Sequence, residues 1–249
     1  MQKVSGQAIH TSSHEDLALA KLSSLLQART TVNTPQWNHD LITYLTRQSI
    51  SRVLYLDELY QKILPVPGVI LEFGVRYGST MSTLINLRGI YEPFNHQRKV
   101  IGFDTFSGFP SVHSNDSEIF KVGDYGVTEG YQSILEEILL SQESLSPVSH
   151  LKKFELVPGD ILQTVQIWLE ENPGLQIAMA IFDLDIYEPT KHALNLIRNR
   201  LMKGSVVVFD EFSNSLYPGE TLAVREIFDT EELKFGHSKF QPPCAWFTV

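Results

Sequence analysis

Two apolar runs in this sequence end in paired carboxylates. The stretch AIFDLDIYEPT (180–190) places Asp183 and Asp185 two residues apart, and SVVVFDEF (205–212) carries Asp210 and Glu211 side by side. Like charges brought together repel, and an unpaired buried carboxylate is costly, so a positive species is expected between them. Asp183, Asp210 and Glu211 are hard oxygen donors, suited to Mg²⁺ or Ca²⁺ rather than Zn²⁺. A cation held this way can bind hydroxyls and lower their pKa. Capping of separate solvated loops accounts for any one of these acids but poorly for all four.

Three further positions have the chemistry of a small-molecule site. LEFGVRYGST (71–80) reads as a strand, a Gly turn and a helix start. Gly74 there lets the backbone approach a ligand, and Ser79 opens a helix with free N–H groups. Val75 and Arg76 stand where a dinucleotide fingerprint would want glycine. Glu72 lies inside the strand and needs a cationic or hydrogen-bonding partner. KVIGFD (99–104) ends on Asp104, at the tip of a second strand, where an acid accepts ribose hydroxyls or caps a turn. VPGD (157–160) ends on Asp160, which either accepts from an adenine amino group or caps the helix that follows.

These residues need a scaffold that brings strand ends to one edge. From residue 69 onward, short apolar runs at 69–75, 99–104, 154–160, 177–183, 205–210 and 244–249 alternate with amphipathic segments such as TKHALNLIRNRLM. That alternation predicts an α/β domain (65–249) with βαβ crossovers and a mostly parallel sheet, which binds ligands at the carboxyl ends of its strands. Residues 14–64 read as helical and PVPG (65–68) stops them, so residues 1–64 are expected to form a helical extension, a cap or a homodimer contact. The Ser-, Gly-, Asp- and aromatic-rich segment at 105–150 is expected to be a lid-like insertion or a surface excursion.

Composition narrows the partners. The chain has 249 residues and a formal net charge of −9, which argues against a nucleic-acid binder. There is one cysteine, Cys244, and no HxxxH or HExxH spacing, which leaves neither an intrachain disulfide nor a histidine-built zinc site. No apolar leader core or membrane-length stretch is present, so a cytoplasmic protein acting on a small molecule, with no membrane partner, is expected.

ILEFGVRYGST, VIGFDTFSGFP, AIFDLDIYEPTKHAL and GSVVVFDEFSNSLYPGETLAVREIF, in that order, resemble the macrocin O-methyltransferase (TylF-type) family over residues 52–249. The resemblance implies a class I methyltransferase Rossmann-like sheet of seven strands, the last antiparallel. It also implies S-adenosylmethionine as cofactor, Mg²⁺ or another hard divalent cation, and a hydroxyl-bearing sugar or other natural product as acceptor. On it, Glu72, Gly74 and Ser79 hold the methionine end and Asp104 the ribose. Asp183, Asp210 and Glu211 become metal ligands and Asp185 the catalytic base. Apart from the resemblance, His192 and His113, both read first as ordinary surface residues, and a metal-bound hydroxide stand behind Asp185 as base. Glu211 stands where the family commonly carries Asp, and PGDILQT where many members carry a Gly-aromatic stretch ending in Leu-Pro. Two other classes compete. A glycosyltransferase explains the DxD of Asp183 and Asp185 but neither the 210–211 pair nor the Glu-Phe-Gly turn. A non-catalytic binding protein would keep the fold alone.

Overall fold

The computed structural model describes residues 13–30 and 36–249. Residues 1–12 and 31–35 of the extension lie outside them, and so does most of the stretch on which the absence of a leader was judged. The extension comprises α1 (Ser13–Thr30), the short α2 (Trp37–Asp40) and α3 (Arg47–Ile63). The second helical run is not continuous, as its lack of Gly and Pro had suggested. Thr46 adopts an extended backbone and its side chain accepts from Ser49 N, so α3 starts there at a hydroxyl cap.

Beyond it follow β1 (Val69–Phe73), α4 (Ser79–Tyr91), β2 (Val100–Asp104), α5 (Tyr131–Ser144), β3 (Phe154–Pro158), α6 (Ile161–Glu171) and β4 (Ile177–Phe182). The chain ends with α7 (Tyr187–Ile197), β5 (Leu201–Phe209), α8 (Gly219–Ile227), β6 (Phe235–His237) and β7 (Ala245–Thr248). The strands form one seven-stranded sheet in the order β3-β2-β1-β4-β5-β7-β6. Only β7 runs against its neighbours, β5 and β6, so the expected mostly parallel sheet with an antiparallel last strand is borne out. Among the described residues, no helix is long and apolar enough to cross a membrane.

Two apolar layers cover the sheet, α3–α5 on one face and α6–α8 on the other. Helix α3 presents Tyr55, Leu56, Leu59, Tyr60 and Ile63 at three- and four-residue spacing, all fully buried. Each such side chain contributes roughly 1.5–3 kcal/mol. α3 is therefore anchored firmly on the domain, and its first turns have a fixed place beside the strand ends.

The register lines up the strand ends. Phe73 pairs with Phe103 and with Phe182, and Phe182 with Phe209. The four rings stack in a row, with centroids 5.1, 4.7 and 5.4 Å apart. The residues that follow these phenylalanines, Asp104, Gly74, Asp183 and Asp210, therefore stand side by side along one edge. The segment expected as an insertion is two things. Residues 105–130 form a loop whose Phe120 packs with Ile186 and Tyr217 in a small apolar cluster, while α5 is a crossover helix whose Leu135 and Leu139 belong to the main core.

Candidate active site

A cavity opens at this edge. Glu72, Gly74, Ser79, Asp104 and Asp160 line it, together with Asp183 and Asp185. Asp210 and Glu211 are not part of its wall, and neither are His113 and His192. Gly74 has φ 94° and a Cβ there would stand 2.0 Å from the Asp183 carbonyl oxygen, so only glycine lets β1 and β4 end this close together. Gly78, at φ 76°, is the N-cap of α4 and leaves Ser79 as its first residue.

Each cofactor-type acid has a place in the local backbone. Asp104 accepts from Arg76 N at 2.7 Å and from Phe106 N at 2.6 Å, which braces the β1–α4 turn against the tip of β2. Asp160 accepts from Leu162 N at 3.0 Å and caps α6. Glu72 is fully buried, and its Oε2 has no hydrogen-bond partner. Burial above all, then the charge of Asp183, pushes Glu72 well above the usual carboxylate range. An orphaned acceptor on a cavity wall fits a ligand that brings a donor.

The positive species between the two acidic strand ends is Arg52 of α3. Its Nη1 donates to Asp210 Oδ1, and its Nη2 donates to Asp183 Oδ2 at 3.2 Å and to Thr80 Oγ1 at 3.1 Å. The Cys244 thiol lies 3.3 Å from Asp210 Oδ1. Against the lowering effect of its own burial, Asp210 and Asp183 hold the guanidinium above its ordinary value. One guanidinium does not settle the edge. Burial and the charge of Asp210 still push Asp183 up to about 7 although Arg52 pulls it down. Glu211 is raised by burial first, against a hydrogen bond from Asn214. The donors are therefore of the right chemistry for a hard divalent cation, and negative charge is in excess. As arranged, two of the three expected ligands are committed to Arg52. Among the described residues, no three Asp, Glu, His or Cys side chains are grouped to hold a metal ion.

Asp185 has a left-handed backbone, φ 61°, a conformation that costs a non-glycine residue about 1–3 kcal/mol. Glu220 of α8 holds it there. Its Oε1 accepts from Leu184 N at 3.0 Å and Asp185 N at 3.3 Å, and its Oε2 from Glu211 N at 3.3 Å. One fully buried carboxylate thus ties the loops after β4 and β5 together. Burial, followed by Asp183, Asp210 and Glu211, raises Asp185 well above the carboxylate range, against a hydrogen bond from Tyr125.

Arg52, Glu220 and Tyr125 were not singled out from the sequence. A signal for Arg52 existed, since it continues the buried stripe of α3 (55, 56, 59, 60, 63) as a charge in an apolar series.

A family profile described as macrocin O-methyltransferase (TylF) matches residues 11–247. Two crystal structures of CalS11 are similar over nearly the whole chain. One, described as a calicheamicin methyltransferase, shares 39% identity at a TM-score of 0.91, covering 96% of this chain and 94% of that one. The other, described as the apo form of a TDP-rhamnose 3'-O-methyltransferase of calicheamicin biosynthesis, shares 37% at 0.84, covering 96% of each. The O-methyltransferase NovP, 15% identical with a TM-score of 0.62, covers 94% of this chain and 98% of its own and is alike in fold. A search of curated proteins found no match.

Proposed function

Because the chain belongs to the macrocin O-methyltransferase (TylF) family, and so to the O-methyltransferases, we propose that it moves the methyl group of S-adenosylmethionine to a hydroxyl of a sugar or other small natural product, assisted by a hard divalent cation. The observation that carries this reading is the single cavity wall shared by Asp104, Glu72 and Asp185. It sets the acid at the tip of β2, an orphaned acceptor and a carboxylate of raised pKa around one space. The 37% identity to a protein described as a TDP-rhamnose 3'-O-methyltransferase supports a sugar acceptor, and the sugar-transfer alternative falls with the family assignment.

S-adenosylmethionine supplies a methyl group already activated on its sulfonium, so the chain's task is to place the acceptor and take its proton. Glu72, the Gly74 turn and the free N–H groups at Ser79 would hold the methionine end, Asp104 the ribose and Asp160 the adenine. Asp185 is the base. Burial and the neighbouring acids raise it above an ordinary carboxylate, which makes it a stronger base, and Glu220 and Tyr125 fix its direction. Asp183, Asp210 and Glu211 would hold Mg²⁺ once Arg52 gives way, and the ion supplies Lewis acidity and charge neutralisation. Loop 105–130 would act as a lid. A cytoplasmic setting belongs to this proposal, as does pairing of two chains through exposed apolar residues of the extension such as Trp37 and Ile42.

The test is incubation with S-adenosylmethionine and a panel of nucleotide-linked sugars, read by mass spectrometry. One methyl added to a sugar hydroxyl is expected, with loss of turnover in excess EDTA and return with Mg²⁺. No methyl transfer to any sugar would remove the acceptor class, and full turnover in EDTA would remove the cation.

A further inference from the structure

Arg76 is a cation on the cavity wall that feels the charge of Asp183 but forms no salt bridge among the described residues. It lies in the turn between β1 and α4, at φ 50°, and its backbone N–H is fixed by Asp104. Its guanidinium carbon sits over two rings, 5.5 Å from the centroid of Tyr77 and 5.1 Å from that of Tyr125. Its Nε is buried with no hydrogen-bond partner, and Arg76 forms no salt bridge among the described residues, although Asp183 and Glu72 line the same cavity. Two aromatic faces hold a guanidinium in a defined plane without neutralising it. A planar fork kept bare on a cavity wall matches a bidentate oxyanion.

The same cavity holds Glu72, four residues earlier near the end of β1, whose Oε2 also has no hydrogen-bond partner. An orphaned carboxyl and an orphaned guanidinium on one cavity wall, with no salt bridge between them, fit a ligand that carries both an ammonium and a carboxylate. We propose that Arg76 receives the α-carboxylate of the amino-acid end of S-adenosylmethionine. The inference rests on that cofactor reading and adds a residue to it. A phosphate of a nucleotide-linked acceptor is the other source of such an anion. The cofactor is favoured because Arg76 shares its turn with Gly74 and Ser79, at the end of β1 nearest Asp104.

Calorimetry on the whole chain with three probes tests this. S-adenosylhomocysteine carries the carboxylate, its decarboxylated analogue keeps only the ammonium, and methylthioadenosine lacks both. The unaltered protein is expected to bind the decarboxylated analogue about 10- to 150-fold more weakly than S-adenosylhomocysteine, the range for charge-assisted hydrogen bonds. Arg76→Met should lose a similar factor for S-adenosylhomocysteine while its affinity for methylthioadenosine stays within about twofold. Equal affinity of the unaltered protein for the first two probes overturns the proposal while leaving the cofactor reading intact, even if the variant does not fold. No binding of S-adenosylhomocysteine overturns both. An Arg76→Met variant that loses a nucleotide sugar but not S-adenosylhomocysteine assigns the anion to the acceptor and overturns it as well.

Discussion

Replacing Arg52 by Met removes the one cation that bridges Asp183 and Asp210 and keeps an apolar stem of similar length. Breaking a fully buried ion pair costs about 3–5 kcal/mol, whereas an exposed one is worth about 0.2–1 kcal/mol. Here the side chains are 22% (Arg52), 35% (Asp183) and 23% (Asp210) exposed, which places the loss between those limits, at about 1.5–3 kcal/mol. For a chain of this size that is roughly 3–12 °C in Tm. The loss has a pH signature. Asp183 titrates at about 7 in the fold, above its ordinary value, so the folded state holds a proton that the unfolded state has released. Stability from that proton is present at low pH and fades as pH rises through 7. Without Arg52 the carboxylate is raised further, so destabilisation should be smaller at pH 5.5, where Asp183 is protonated in both proteins and the Asp210 contact alone is lost, and largest near pH 8. Added Mg²⁺ should raise the Tm of the variant more than that of the unaltered protein, because the ion no longer competes with a guanidinium. Thermal melts at several pH values, with and without Mg²⁺, measure all of this. An unchanged Tm at pH 8, or a smaller Mg²⁺ response in the variant, would refute the reasoning.

Asp185→Asn is nearly isosteric but cannot take a proton, so turnover should fall about 10²- to 10⁴-fold while S-adenosylhomocysteine affinity stays near that of the unaltered protein. Near-normal turnover by a variant that binds both ligands would exclude it as the base. Glu220→Gln keeps the side chain's shape but replaces one accepting oxygen by an NH₂ that cannot accept from a backbone N–H, so either the Leu184–Asp185 contact or the Glu211 contact is lost. We expect kcat to fall at least about tenfold with little change in cofactor affinity, because the charge-assisted contacts at stake are worth about 1.5–3 kcal/mol each. A parallel loss of kcat and cofactor binding would show general collapse instead of misplacement of Asp185.

Much of the sheet was legible in the chain itself. Strand ends are local events: an apolar run packs on both faces of a parallel sheet, and the first polar residue marks where it leaves. Hence the runs ending at Asp104, Asp183 and Asp210 correspond to β2, β4 and β5, and alternation with helical periodicity sufficed for a parallel sheet. β6 has three residues, two of them half-buried, and carries no run long enough to read. The break at Thr46 was missed because a hydroxyl cap does not interrupt apolar periodicity as Gly or Pro would. Repulsion between acids also required a cation in advance of any fold. Its identity was beyond the sequence, since Arg52 lies 158 residues from Asp210 and 131 from Asp183. Only the packing of α3 against α4 and β5 brings its guanidinium to that edge. The same holds for Glu220, whose carboxylate reaches two loops from a helix that follows both. Periodicity reports which face of an element is buried, but the pairing of charges across elements depends on where tertiary packing sets those faces against one another.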